Sequence, residues 1–274
     1  MQSGITLSNE EGPRDLLVLA GEAEVAGWDG VFVWDGIEGN DPWVTLAAIA
    51  ARTERVRLGT MLTPVSRRRP WKLAQETATL DRLSNGRLIL PVGLGAPETG
   101  FARFGEETDR KARAHLLDEG LDVVTGLWSG QPFSHDGEHY RIQDVAFTPT
   151  PLQSPRIPIW VVGAWPRMTS MRRVLRYDGI VPAKMDGTGS ALTPDDVRAI
   201  KKFVDERRTL TTPFDIVIEG DTPGDDPAQA AAKVGPWAEA GVTWWLESVW
   251  DGPRRQSGLA GMRERIRQGP ARIA

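Results

Sequence analysis

Short runs of β-branched and apolar residues alternate with longer amphipathic segments along almost the whole chain. This alternation is typical of repeated strand–helix units and a parallel sheet. Eight candidate strands begin near Gly4, Gly30, Val56, Arg87, Ile157, Asp178, Phe214 and Val242. Their starts lie 26, 26, 31, 70, 21, 36 and 28 residues apart, and six of these intervals suit one strand plus one helix. The pattern predicts an α/β fold, a (β/α)8 TIM barrel forming a single domain over residues 1–274.

Local signals mark the helices between these strands. Asp41-Pro42 combines an N-cap with the proline favoured at the first helical position, and Asn85-Gly86 is a strong turn pair. Helices are predicted over residues 13–27, 41–53, 70–84, 109–128, 193–208 and 226–240. The long interval also contains an insertion at about 131–155, which lacks a clean period and is rich in Pro and Gly. We expect a small hairpin there around Asp136-Gly137.

Composition excludes several functional classes. Thirty-three basic against 37 acidic residues give a net charge of −4, so no overall positive field favours nucleic acid. No apolar run approaches the ~20 residues of a membrane span, and the N-terminus does not resemble a secretory signal. We therefore expect a cytoplasmic protein that binds neither nucleic acid nor membrane. There is no cysteine, and no predicted strand end carries one of the three histidines, so we expect no metal site.

Four blocks of sequence resemble the luciferase-like flavin monooxygenase family. They are 22–33, ending in Trp-Asp-Gly-Val-Phe-Val, then Thr53–Thr60, Leu80–Arg87 and Val92–Gly95. The second and third blocks, Thr-Glu-Arg-Val-Arg-Leu-Gly-Thr and Leu-Asp-Arg-Leu-Ser-Asn-Gly-Arg, are specific when they occur together. The blocks follow the order of the family over roughly residues 15–185. The later part of the chain is similar only in its alternation of strands and helices.

The resemblance implies a homodimeric barrel that holds reduced FMN or the deazaflavin F420 at its C-terminal mouth. Such an enzyme oxidises or reduces a small organic substrate, by activating oxygen with FMN or by passing hydride to and from F420. The resemblance also implies a non-prolyl cis peptide bond at Met61-Leu62, against which the cofactor ring leans. The sequence barely separates the two cofactors and favours FMN slightly, leaving F420-dependent hydride transfer as the alternative.

Residues at the predicted strand ends are the candidate cofactor site, because the strand ends and the following loops carry the chemistry of such barrels. Backbone donors for a phosphate are expected after two strands, where a helix start or glycines allow close approach. The aromatic rings of Trp34, Trp165 and Trp250 are candidate pocket walls, and the basic run 67–69 is a further candidate for phosphate or the acidic tail of F420. The predicted cofactor-binding residues are Trp34, Met61, Leu62, Gly93, Gly95, Gly163, Ala164, Trp165 and Arg167.

The catalytic acid or base is harder to assign from the sequence. Many relatives in this family carry a histidine directly after the aspartate that ends the second strand, but here Asp35 is followed by Gly36. Asp35 and Glu247 are the remaining acid–base candidates, although an ion pair or a helix cap would explain either carboxylate equally well. Because the family histidine is missing, a flavin-binding barrel without catalytic activity is the alternative from another class.

Overall fold

A computed structural model describes residues 1–248 and 258–272 of the chain. The strands are β1 (Gln2–Leu7), β2 (Gly30–Val33), β3 (Arg57–Thr60), β4 (Thr63–Pro64), β5 (Leu90–Gly93), β6 (Pro132–Asp136), β7 (Arg141–Ala146), β8 (Ile159–Trp165), β9 (Gly179–Lys184), β10 (Asp215–Gly220) and β11 (Trp244–Glu247). The helices are α1 (Pro13–Val25), α2 (Pro42–Ala50), α3 (Pro70–Leu83), α4 (Arg110–Trp128), α5 (Met168–Val174), α6 (Pro194–Arg207), α7 (Pro227–Ala240) and α8 (Gly258–Arg267). Trp250, predicted to wall the pocket, lies outside the described residues.

Nine of these strands form one parallel sheet that curls into a nearly closed barrel. Their order is β3-β2-β1-β11-β10-β9-β8-β5-β4, so strands from the two ends of the sequence, β1 and β11, pair side by side. An isolated bridge between Leu58 of β3 and Leu88, just before β5, brings the two ends of the sheet together. The predicted (β/α)8 barrel is therefore confirmed, with β3 and β4 together occupying the place of the third strand.

The insertion forms the antiparallel hairpin that the sequence predicted. Strands β6 and β7 pair with Asp136 opposite Arg141, at the end next to the turn. Short 3-10 segments at Pro97–Thr99 and Phe101–Phe104 lie between β5 and α4. The sequence analysis did not predict these segments or α8, because none of them has a long, regular spacing of apolar residues. No helix among the described residues is long and apolar enough to cross a membrane.

Aromatic side chains fill the inside of the barrel. The rings of Phe32 and Trp160 stack with centroids 5.5 Å apart, and Trp244 meets the Trp160 ring at 5.4 Å. A Cβ at Gly30 would lie 2.9 Å from the Phe32 ring and 3.0 Å from the Trp244 ring, so glycine leaves room for both. This packing closes the floor below the mouth of the barrel, because interior side chains of such barrels pack in layers.

Candidate functional site

A cavity of about 840 Å³ lies at the mouth of the barrel, where the strands end. Its volume falls in the range of small-molecule and cofactor sites. It is lined by residues of the loop after β2, the β3–β4 bulge, the loop after β5, the starts of α4 and α5, and the ends of β8 to β10. Of the residues predicted from the sequence, the wall includes Trp34, Asp35, Met61, Leu62, Gly95, Ala164 and Arg167.

The bulge in the third strand forms one wall of the cavity. The peptide bond between Met61 and Leu62 is cis, as the resemblance implied. At this point the strand changes partners, because β3 pairs with β2 and β4 pairs with β5. The hydroxyls of Thr60 and Thr63, both buried, share a hydrogen bond of 2.7 Å across the bulge. The cis bond therefore lies where the chain passes from one edge strand of the sheet, β3, to the other, β4.

Two predicted glycines, Gly93 and Gly163, are not among the residues that line the cavity. A Cβ at Gly163 would lie 2.5 Å from Cδ1 of Ile180 and 3.0 Å from Cγ2 of Val174, so this position packs against other side chains. A Cβ at Gly93 would lie 2.9 Å from Cδ1 of Leu62, so Gly93 makes room for a side chain of the wall without lining the wall itself. A larger residue at Gly163 would therefore clash with Ile180 and Val174.

The turn from β8 into α5 also differs from the prediction. The Trp165 ring packs edge-on against Phe203 at 6.2 Å, and Trp165 is not part of the cavity wall. The amide of Ala164 donates to Oγ of Ser170 over 2.9 Å, so that backbone donor is engaged within the chain. Arg167 does reach the wall, and its Nε donates to the carbonyl oxygen of Met185 over 3.3 Å.

Asp35 lies buried at the end of β2 with arginines around it. Its carboxylate accepts hydrogen bonds from Nη2 of Arg68 at 2.9 and 3.1 Å, and Nη2 of Arg67 lies 3.6 Å from it. Burial raises the pKa of the Asp35 carboxyl, and the charges of Arg68 and Arg67 oppose that rise. Asp35 thus lines the cavity and also forms a close ion pair with Arg68.

Glu247, the other predicted acid–base residue, is absent from the cavity wall. It is fully buried, and its oxygens accept from the Thr222 amide at 2.7 Å, the Thr222 hydroxyl at 2.8 Å and Nε of Arg265 at 3.0 Å. Glu247 therefore forms an ion pair, which the sequence analysis had given as the alternative to an acid–base role. The carboxylate that does reach the cavity from this side of the barrel is Glu219, near the end of β10.

The first turn of α4 brings positive charge to the cavity, which sequence reasoning missed. Arg110, Lys111 and Arg113 all line the wall, next to the N-cap residue Asp109. The signal was present, because helices of such barrels begin near the mouth and a basic first turn opens the predicted helix 109–128. Together with Arg67 and Arg167, these residues make basic side chains more numerous than acidic ones among the residues that line the cavity.

Arg113 also fixes the loop that follows β5. Its Nη1 donates to the carbonyl oxygens of Leu94 at 2.6 Å and Gly95 at 3.0 Å. The guanidiniums of Arg113 and Arg67 lie over the Phe101 ring, at 5.8 and 5.4 Å from its centroid. Burial lowers the pKa of both arginines, yet a guanidinium remains charged at neutral pH.

A profile of the luciferase-like monooxygenase family matches residues 1–269. The chain belongs to this family. An F420-dependent glucose-6-phosphate dehydrogenase from Amycolatopsis mediterranei is 35% identical over 177 residues, which cover 61% of this chain and 53% of that protein. The chain thus spans about half the length of this curated relative.

Two solved structures share the barrel fold. A monooxygenase from Streptomyces bottropensis has a TM-score of 0.69 and 26% identity, covering 88% of this chain and 77% of that one. The coenzyme F420-dependent tetrahydromethanopterin reductase from Methanopyrus kandleri has a TM-score of 0.76 and 17% identity, covering 97% and 96%. The second likeness concerns the fold alone.

Proposed function

We propose that this member of the luciferase-like family is an oxidoreductase that binds a flavin-type cofactor in the cavity at the barrel mouth. We favour F420 over FMN, which reverses the slight preference drawn from the sequence. The curated relative that depends on F420 supports this choice. The substrate is a small organic molecule, and glucose 6-phosphate is the first candidate to test, because it is the substrate in that relative's name.

The wall of the cavity has an apolar part, which fits the ring of such a cofactor, and a basic part, which fits its acidic groups. Met61, Leu62, Leu94, Val162 and Ala164 offer apolar surface for a flat ring. Burial of that ring would contribute roughly 25 cal/mol per Å² of area removed from water. When bound, F420 accepts or donates a hydride, which is chemistry that the cofactor supplies and side chains do not.

The observation that carries the proposal is the basic start of α4. Arg110 and Lys111 are exposed at the cavity, and Arg167 reaches the wall from the loop before α5. Phosphate and carboxylate groups are bound well by guanidinium and ammonium groups. F420 has an acidic tail beyond its phosphate, so two exposed cations at the mouth favour it over the shorter FMN.

Removing these two charges should separate the cofactors. In the double variant Arg110→Ala/Lys111→Ala we expect F420 affinity to fall at least tenfold, about 1.4 kcal/mol, and FMN affinity to fall less. The loss should shrink at high salt, because exposed charges are screened. Calorimetric titration of each cofactor at two ionic strengths measures both effects.

A matched control removes two lysines elsewhere. Lys201→Ala/Lys202→Ala lowers the net charge equally on α6, away from the cavity wall. This control should bind both cofactors as the wild type does. Equal losses of F420 affinity in the two double variants would instead mean that overall charge, and no site at α4, determines binding.

A second candidate function is FMN-dependent monooxygenation. Its support is that no histidine occurs among the described residues that line the cavity, together with the 26% identity to a monooxygenase. Tight binding of FMN with weak binding of F420 would favour this function. If the protein binds either cofactor but shows no cofactor-linked turnover with any substrate tested, glucose 6-phosphate included, the flavin-binding barrel without catalysis becomes the better description.

We also propose that residues 1–274 form one domain in a cytoplasmic homodimer. In the family that the sequence resembles, the early helices form the interface, which here are α2 and α3. Val44, Trp71 and Leu83 on these helices are 72%, 41% and 51% exposed. Exposed apolar side chains on both helices are compatible with an interface that a second chain covers. Light scattering at micromolar concentration should give twice the chain mass of 30.1 kDa. A stable particle of the single-chain mass would contradict the dimer.

A further inference from the structure

The chain has three histidines, and all of them lie outside the cavity wall, on α4 and the hairpin beside it. His115 lies on α4, His135 on β6, and His139 in the turn between β6 and β7. The sequence led us to expect no metal site because no predicted strand end carries a histidine. In the structure, His115 and His139 lie close together between a helix and a hairpin, away from the strand ends.

Glu119 of α4 fastens the hairpin turn to the helix. Its carboxylate accepts from the amide of Tyr140 at 2.7 Å and from the amide of His139 at 3.0 and 3.1 Å. Nε2 of His135 lies 3.2 Å from the same carboxylate. A Cβ at Gly137 would come within 2.0 Å of Oε1 of Glu119, so a larger residue there would require the Glu119 carboxylate to move. The backbone that carries Glu138 and His139 is therefore held at a fixed place beside α4.

His115 stands next to that turn on the same face of α4. It precedes Glu119 by four residues, and side chains spaced four apart in a helix are neighbours. One nitrogen of His115, one carboxylate oxygen of Glu138 and one nitrogen of His139 all lie within 4.8 Å of one another. Among the hydrogen bonds of the described residues, none engages the side chain of His115 or Glu138, so both are available as ligands.

The chemistry of these three groups selects a class of ion. We propose that His115, Glu138 and His139 bind a divalent transition-metal ion of the zinc, cobalt and nickel type. Imidazole nitrogens suit these ions, whereas magnesium and calcium prefer oxygen alone. Bonds of about 2.1 Å at tetrahedral angles put ligand atoms about 3.4 Å apart. The three side chains are exposed, so small rotations can close the difference from 4.8 Å. Three protein ligands leave a position for water.

The site would join the insertion to the helix that forms part of the cavity wall. His115 directly follows Ala114, a residue of that wall. Glu119 already joins hairpin and helix, and a metal ion would add a second link one turn nearer the cavity. Because an ion that binds only the folded chain stabilises it by mass action, zinc should raise the melting temperature.

Cobalt and zinc test this site directly. Protein without a histidine tag, stripped with chelator, is titrated with Co²⁺ while the ligand-field absorption of the bound ion is followed. We expect one equivalent to bind and to be displaced by Zn²⁺. His115→Ala and His139→Ala should each weaken Co²⁺ binding at least tenfold and abolish the rise in melting temperature with Zn²⁺. Both positions are exposed, so the variants should fold.

His135→Gln is the matched control. It removes a histidine from the same hairpin, where the ring contacts Glu119 and does not belong to the proposed ligands, and it should bind cobalt as the wild type does. Absence of stoichiometric binding in the wild type would overturn the proposal. So would equal weakening in all three single variants, which would indicate non-specific binding to histidine.

Discussion

Replacing Arg265 with methionine should lower the free energy of unfolding by about 3–5 kcal/mol, because it takes the guanidinium of Arg265 away from the buried Glu247 carboxylate. Arg265 is 2% exposed, and Glu247 is fully buried. Besides its bond to Glu247, Arg265 donates to the Thr222 hydroxyl at 2.8 Å and to the carbonyl oxygen of Gly269 at 2.7 Å. Urea unfolding with an unchanged m-value measures the loss.

Arg263 on the same helix supplies the control. It pairs with Glu22 at the surface, where the guanidinium lowers the pKa of the Glu22 carboxyl to about 2. Water screens this pair, so Arg263→Met should destabilise the protein far less than Arg265→Met. If both variants lost a similar amount of unfolding free energy, the buried pair would not stabilise the protein more than the surface pair does.

The double variant Arg265→Met/Glu247→Leu decides the role of Glu247. Replacing both partners with apolar residues also removes the buried charge of Glu247, so most of the lost stability should return. If Glu247 serves only to hold α8 against the barrel, the double variant should retain cofactor binding and turnover. A stable double variant without turnover would restore Glu247 as a catalytic candidate.

The strands and helices could be predicted because their signals are local. Asp41-Pro42 and Thr193-Pro194 mark helix starts, and the caps form as expected: Asp41 accepts from the amide of Val44, and Thr193 makes a capping box with Asp196. The family blocks then gave the position of the cis bond at Met61-Leu62. Such features depend on a few neighbouring residues, so one sequence suffices to identify them.

The direction of side chains at the mouth could not be predicted in the same way. Strands of a parallel barrel are apolar on both faces, so the alternation that identifies the buried side of an antiparallel strand is missing. In β8, nothing in Gly163-Ala164-Trp165 indicates which residue faces the cavity, and only Ala164 does. Glu247 ends a strand as predicted, but its carboxylate is engaged by Arg265 from α8, a helix that the sequence did not indicate.

Trp34 and Trp128 should respond to alanine in opposite ways. Trp34 lies at the end of β2 on the cavity wall, so Trp34→Ala should weaken F420 and FMN at least tenfold, about 1.4 kcal/mol, through lost apolar contact. Trp128 is 4% exposed in the core, and its Nε1 donates to the carbonyl oxygen of Ala74 over 3.2 Å. Trp128→Ala should cost about 3–5 kcal/mol of stability.

Each variant is the control for the other, since both remove the same side chain. Calorimetric titration reports affinity, and urea unfolding reports stability, so neither measurement depends on the fluorescence of the tryptophan removed. Trp128→Ala should bind both cofactors normally at temperatures where it is folded, because Trp128 does not line the cavity. If Trp34→Ala binds both cofactors as tightly as the wild type, the ring of the cofactor does not lie against the end of β2. The proposed position of the ring would then have to move towards the loop after β5, where Leu94 and Phe101 also line the wall.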